Sequence, residues 1–143
     1  MNYGVDSMQK DIIGRYYIEE FTVDASMTAV LGNVEIHPVC STVTMVYYAE
    51  LASRRVIEPL FTEGENAIGA GISLEHVGMA AIGDSIEMKA TINSFDGKLL
   101  VCDITARLKV SNKLLCKGTQ AQVVLSQNII SEMIEKAYSQ KNL

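Results

Sequence analysis

The sequence has little positive charge and no long apolar run, and each shortage excludes a class of partner. Twelve Lys and Arg residues stand against 17 Asp and Glu residues, so the formal net charge is -5. Because proteins hold a nucleic-acid backbone through clustered Lys and Arg, this balance excludes a nucleic-acid partner. No window approaches the roughly eighteen apolar residues of a membrane span, so we expect no membrane partner.

Cysteine and histidine are also scarce. The three cysteines, Cys40, Cys102 and Cys116, have no CxxC spacing, and their odd number is typical of reduced thiols rather than a disulfide framework. The first residues show neither the apolar segment of a signal peptide nor an Arg-rich amphipathic pattern, so we expect a cytoplasmic protein. With two histidines, no HxxxH or HExxH pattern and no glycine-rich phosphate loop, we expect no metal and no cofactor.

The length of 143 residues predicts one domain, because it suffices for a real core and is too short for two ordinary domains. We expect this domain to span residues 1–143, with an irregular arm at 1–13 and an amphipathic helix at 126–143. Charged residues make up 20%, below the roughly 25% of an average soluble domain. The surplus of apolar surface favours a homodimer, and assembly beyond the dimer stays open.

The longest helical pattern covers residues 41–61, STVTMVYYAELASRRVIEPLF. At about 100° per residue its apolar side chains form one broad arc and its polar ones a narrow strip opposite. Such a helix is expected at the buried centre of the fold. Thr42 and Glu50 interrupt the apolar arc, where an unpaired carboxylate is costly, and this makes both residues candidates for function.

The rest of the chain is predicted to be mainly strands. Strands are expected at residues 14–24, 67–76, 86–92, 100–110 and 114–125, an extended segment at 34–40 and a short helical turn at 26–32. In the strand at 67–76, even-numbered residues from Ile68 to His76 are expected on one face and Gly69 on the other. An antiparallel sheet wrapped around the long helix, an α+β fold, is the simplest arrangement.

Helix geometry links Thr42 and Glu50 to one histidine. The two residues lie roughly 12 Å apart along the helix axis and about 80° apart around it. An imidazole on the inward face of a neighbouring strand, that of His76, is about long enough to bridge them. A hydroxyl, an imidazole and a carboxylate in this order form the nucleophile, base and orienting group of acyl transfer.

Each of these residues also has a simpler interpretation. Thr42 can be a helix cap, Glu50 a solvated helix residue and His76 a hydrogen-bonded core histidine. Gly69 can mark a bulge or a close helix crossing, or it can offer its N–H to a carbonyl oxygen. Cys40 and His37 are a weaker thiol–base pair, because residues three apart in an extended segment are not obviously within reach.

Three segments carry a resemblance to a known family. VCSTVTMVYYAELA contains Thr42 and Glu50, NAIGAGISLEHVGMAAIGD contains Gly69 and His76, and KGTQAQVV lies in the last strand. Over about residues 30–124 the chain resembles the fluoroacetyl-CoA thioesterases, a family of hotdog-fold acyl-CoA thioesterases. The resemblance implies a hotdog homodimer with its sheets joined edge to edge and its active sites at the interface.

The resemblance also implies roles for the residues. Thr42, Glu50 and His76 act together as catalytic residues on the thioester, the Gly69 amide binds the carbonyl, and CoA is part of the substrate rather than a cofactor. Whether Glu50 serves the His76 of its own chain or of the partner stays open, as does the choice between an acyl-enzyme and direct attack by water.

Two departures from the family bear on the substrate. Gln120 and Gln122 stand where the family commonly has a histidine and an arginine, and GNVEIHPV lacks the phenylalanines of the fluoroacetyl-specific lid. We therefore expect a short or branched acyl-CoA as the substrate. The alternatives are a non-catalytic hotdog dimer that binds an acyl-CoA or related ligand and, less favoured, a hotdog dehydratase or hydratase.

Overall fold

The computed structural model describes residues 11–140 of the chain, so most of the predicted N-terminal arm lies outside the described residues. The elements in chain order are β1 (Tyr16–Thr22), β2 (Thr28–Leu31), β3 (Val34–Cys40), α1 (Thr42–Ile57), β4 (Glu65–His76), β5 (Ser85–Phe95), β6 (Leu99–Leu108), β7 (Leu114–Ser126) and α2 (Gln127–Ser139). Short 3-10 turns lie at Ala25–Met27 and Glu58–Leu60. Within residues 11–140, neither helix has the length and apolar character to cross a membrane.

One antiparallel sheet and the long helix make up the body of the protein. Within the described residues the sheet has five strands in the order β1-β5-β6-β7-β4, and β2 and β3 form a separate hairpin. Helix α1 packs against the sheet, mainly over β5 and β1. This is the α+β hotdog arrangement that the sequence predicts.

The core lies between α1 and the sheet. The helix buries Met45, Ala49, Ala52, Ser53, Val56 and Ile57. Strand β5 alternates as predicted, with Ile86, Met88, Ala90 and Ile92 buried, and β6 buries Leu100, Cys102, Ile104 and Ala106. Burial of these side chains is the main stabilising contribution of the fold.

The helix is less enclosed than its composition suggests. Val43 and Tyr47 are 67% and 60% exposed in the single chain. The expected position of α1 at the buried centre of the fold therefore holds only for one side of the helix in the single chain, because the sheet covers that side alone. The covered side is the one that carries the small residues Ala49 and Ala52, which let the helix approach the sheet.

Strand β4 contains a bulge that corrects the predicted distribution of its side chains. The register with β7 shifts between Gly69 and Gly71. Because one extra residue reverses the alternation, Ala67 and Gly69 face α1 together with Leu74, whereas Ile68 faces away. The prediction that Ile68 shares the inward face of His76, and that Gly69 lies opposite, is therefore wrong.

The segment before α1 also differs from its prediction. Only Ala25–Met27 is helical, and the rest of residues 26–32 belongs to β2 and the turn that follows it. Gly32 and Asn33 both have positive φ, 59° and 63°, which is the backbone of a tight hairpin turn rather than of a helix end. The extended segment at 34–40 is confirmed as β3.

The pattern of apolar residues is misleading at the end of β6 and along α2. Val110 continues the predicted face of β6 but lies in the turn after it and is 96% exposed. Ser126 caps α2, the amphipathic helix expected at 126–143, but Ile130 is its one buried residue. Ile129, Met133 and Ile134 are about half exposed, so the apolar face of this helix is only partly covered in the single chain.

Gly118 allows a test of the β4–β7 contact. A Cβ at this position would overlap the carbonyl oxygen of Ser73 and lie 2.9 Å from the Cα of Leu74, both backbone atoms of β4 that cannot move alone. Gly118→Ala is expected to lower the free energy of unfolding by about 3 kcal/mol or more, measured by urea denaturation. Gly71→Ala on β4 is the matched control, because a Cβ there meets nothing within 4 Å. Equal stabilities of the two variants would contradict the close backbone contact between β4 and β7 at Gly118.

Candidate active site

The start of α1 leaves the Thr42 side chain free for another role. The cap is Ser41, whose Oγ accepts a hydrogen bond from the Thr44 amide at 3.0 Å. The interpretation of Thr42 as a cap is therefore wrong. Instead its Oγ1 is hydrogen-bonded to Nδ1 of His76 at 2.8 Å.

His76 is the last residue of β4, and the inward face of that strand turns its ring towards the first turn of α1. Its second nitrogen, Nε2, is buried and has no hydrogen-bond partner within residues 11–140. An imidazole with one nitrogen on a hydroxyl and the other unpaired can relay a proton once a second group approaches. Thr42 and His76 border an open cleft that also includes Met79.

Glu50 lies two turns further along α1, in a second cleft. Its Oε2 accepts a hydrogen bond from Nε2 of Gln120 at 3.3 Å. Glu50 is partly buried there, so it is not a solvated surface residue. The predicted bridge in which one His76 ring touches both Thr42 and Glu50 is not formed within a chain, because the ring lies at the Thr42 end.

Gly69 lies beneath the Glu50 carboxylate. A Cβ at this position would be 3.3 Å from Oε2 of Glu50, and the bulge in β4 begins here. The interpretation of this glycine as part of a bulge is thus confirmed, and the group that approaches it from α1 is the Glu50 side chain rather than the helix backbone. The same cleft is bordered by Tyr47 and Gln122.

Cys40 is unsuited to nucleophilic chemistry. Burial raises the pKa of its thiol to about 11, so the thiol stays protonated near neutral pH. Its Sγ donates a weak hydrogen bond to the carbonyl oxygen of Ser41 at 3.9 Å. Within the described residues, no group of three or more His, Cys, Asp or Glu side chains is arranged to hold a metal ion.

Two residues of the site were considered in the sequence only as departures from a family pattern. Gln120 and Gln122 are 1% and 4% exposed on the inner face of β7. Oε1 of Gln120 and Nε2 of Gln122 have no hydrogen-bond partner in the described part of the chain. The sequence contains one signal for these residues. Gln120 and Gln122 alternate with outward-facing residues and lie on the same face of β7 as the buried Val124, where an amide side chain is unusual.

Known proteins with a similar sequence or fold place this geometry in a family. The family model of the fluoroacetyl-CoA-specific thioesterases matches residues 23–128, whereas no curated protein sequence matches the chain significantly. A thioesterase superfamily member from Thermus thermophilus is 25% identical with a TM-score of 0.87, covering 91% of this chain and 95% of its own. A hot-dog-like protein from Thermanaerovibrio acidaminovorans is 17% identical with a TM-score of 0.81, covering 96% and 98%.

The fluoroacetyl-CoA thioesterase FlK is 22% identical with a TM-score of 0.76, covering 87% of this chain and 95% of its own. Solved variants of FlK hold fluoroacetate with CoA, or acetyl-CoA. The family match runs from the end of β1 into the start of α2 and includes Thr42, Glu50, Gly69 and His76. The chain therefore belongs to the family of fluoroacetyl-CoA-specific thioesterases, and with it to the thioester hydrolases.

Proposed function

We propose that the protein hydrolyses a short or branched acyl-CoA through Thr42, His76 and Glu50. The observation that carries the proposal is the 2.8 Å hydrogen bond between Thr42 Oγ1 and His76 Nδ1, with Nε2 of the same ring buried and unpaired within the described residues. A hydroxyl bound to an imidazole is the first half of a nucleophile–base–carboxylate chain. The complexes of FlK with acetyl-CoA and CoA support an acyl-CoA as the ligand.

The chemistry proceeds in two steps. His76 takes the proton of the Thr42 hydroxyl as Oγ1 attacks the thioester carbonyl. The N–H of the partner subunit's Gly69, which the strand pairing described below brings beside His76, stabilises the oxyanion. The carbon–sulfur bond breaks and the CoA thiolate receives the proton from His76. Water, deprotonated by His76, then attacks the carbonyl of the acyl ester. The bond to Thr42 Oγ1 breaks, Oγ1 takes the proton back from His76, and the carboxylic acid is released. The N-terminus of α1 favours the negative charge that develops beside Thr42.

The orienting carboxylate comes from a second copy of the chain in this proposal. In the part of the chain that the structure describes, strand β4 is an edge of the sheet over 12 residues, and Gly69 and Gly71 in its middle are exposed. A long unpaired edge of this kind is a template for another strand. Antiparallel pairing of two β4 strands about a two-fold axis between Gly69 and His76 brings Gly69 of one chain beside His76 of the partner subunit.

Glu50 then acts across the interface. Its carboxylate lies against Gly69 of its own chain, so the same pairing places it near Nε2 of the partner's His76. A carboxylate there would hold the imidazole in one tautomer and stabilise its charged form. The exposed apolar residues Val43 and Tyr47 lie on the same helix and would be covered by the partner.

Two features of the chain support a choice of substrate and of cellular location. The two glutamines of β7 and the absence of phenylalanine from residues 32–39 argue against selectivity for fluoroacetyl-CoA. A cytoplasmic location is supported by Cys40, Cys102 and Cys116, which are buried and free.

The test is a panel of short and branched acyl-CoAs with a free-thiol readout. Thr42→Ala is expected to lower kcat by about 10²-fold or more, because the nucleophile is removed, whereas Thr42→Ser keeps the hydroxyl and most of the activity. Thermal stabilisation by acyl-CoA without release of any thiol would instead assign the protein as a non-catalytic binder. Full activity of Thr42→Ala would show that Thr42 is not the nucleophile and that water attacks the thioester directly.

A further inference from the structure

Two side-chain amides beside Glu50 are buried with an unused hydrogen-bonding atom each. Nε2 of Gln120 donates to Glu50 Oε2, which fixes the orientation of that amide and leaves its Oε1 as a free acceptor within residues 11–140. Gln122 leaves its Nε2 as a free donor in the same part of the chain. Both residues are more than nine-tenths buried, and a buried polar atom without a partner costs free energy. Such atoms therefore call for a partner, which is either water or a group of a bound ligand.

The position of the amides is next to the proposed carbonyl site. Gln122 is the register partner of Gly69, so their Cα atoms are neighbours across the β4–β7 pair. Gln122 borders the same cleft as Glu50 and Gly69. Gln120 lies two residues earlier on the same inner face of β7. A substituent close to the thioester carbonyl of a bound acyl group would meet this pair.

The unused atoms are one acceptor and one donor, and this restricts the substituent. A hydroxyl both donates and accepts, so one hydroxyl can satisfy both amides. A ketone oxygen only accepts hydrogen bonds, so it would satisfy Nε2 of Gln122 and leave Oε1 of Gln120 unpaired. A carboxylate would be repelled by Glu50, and Arg54, a cation that borders the cleft, is already held by Glu58 at 2.8 Å and by Asn66 at 2.7 Å. An alkyl chain would leave both amide atoms unpaired.

We propose that Gln120 and Gln122 select acyl-CoAs that carry a hydroxyl group close to the thioester, so that the substrate class is a short hydroxyacyl-CoA. This inference rests on the proposed thioesterase function and adds its specificity. The two glutamines are specificity-determining residues in this proposal, and the bond cleavage itself still depends on Thr42 and His76.

The experiment compares kcat/KM for butanoyl-CoA, 2-hydroxybutanoyl-CoA and 3-hydroxybutanoyl-CoA. One of the hydroxyacyl substrates is expected to be preferred over butanoyl-CoA by about tenfold or more, because a site built for a hydroxyl rejects the analogue that lacks it. Gln122→Leu removes the donor at similar volume and is expected to abolish most of this preference. Thr119→Val, a polar-to-apolar change on the outer face of the same strand, is the matched control and keeps the preference.

A melting-temperature measurement shows that each variant is folded, and Gln122→Leu is not expected to be less stable than the original chain because it removes an unpaired buried amide. Equal kcat/KM values for all three substrates would overturn the specificity while leaving the thioesterase function intact, and would point to water on the two amides. Retention of the preference in Gln122→Leu would overturn it as well. Absence of hydrolysis with every acyl-CoA would overturn the thioesterase function and this inference with it.

Discussion

Replacement of His76 by alanine is expected to lower kcat for acyl-CoA hydrolysis by about 10²- to 10⁴-fold, the range of a lost general base. The reason is that the ring is the only group hydrogen-bonded to the Thr42 hydroxyl among the bonds found within residues 11–140. Without it the hydroxyl keeps its proton and the departing CoA receives none. The measurement is release of free CoA thiol at saturating substrate, so that kcat is separated from KM.

The loss must come from chemistry rather than from unfolding. His76 is only partly buried and Nε2 makes no hydrogen bond within the described residues, so His76→Ala is expected to remain folded, which a melting curve checks. His37→Ala is the matched control, because His37 borders the same cleft from β3 but is not the histidine bonded to Thr42. Activity of His76→Ala close to that of the original chain would remove His76 from the mechanism.

Much of the fold follows from the period of apolar residues. The alternation in β5 and β6 and the helical period of α1 predict their buried faces, because each element covers one side of a single core. The apolar period fails to predict burial where an element ends, or where no other element packs against the apolar face in the single chain. Val110 has the right parity but follows the last residue of β6, and most of the apolar face of α2 is about half exposed in the single chain.

The candidate site was only partly predictable for two physical reasons. A bulge between Gly69 and Gly71 reverses the strand faces, and two glycines in alternation carry no sign of where the extra residue lies. The contact between Thr42 and His76 followed from helix geometry and strand parity. The partner of Glu50 could not be predicted, because the distance that a histidine can bridge does not decide which neighbour the carboxylate bonds, and in the single chain that neighbour is Gln120.

Glu50→Gln is expected to lower kcat by about 10²-fold while preserving the fold. The amide has the volume of the carboxylate, and its Oε1 can still accept the hydrogen bond from Gln120 Nε2. What it loses is the negative charge that stabilises a protonated His76. Alone, this variant does not reveal whether Glu50 acts within its own chain or across the interface.

Pairing two inactive variants resolves that question. One chain carries His76→Ala with Glu50 intact, and the other carries Glu50→Gln with His76 intact. If the carboxylate crosses the interface, one of the two sites of the mixed dimer combines both substitutions, and the other combines intact His76 with intact Glu50. If Glu50 acts within its own chain, each site of the mixed dimer contains one substitution and neither is complete.

The most direct measurement is the activity of this mixed dimer, co-expressed and purified through a different affinity tag on each chain. A cross-subunit site predicts about half of the activity of the original dimer, since one of two equivalent sites is restored. Activity no higher than that of the two parent variants, or failure of the tagged chains to purify together, would contradict an active site shared between two copies of the chain.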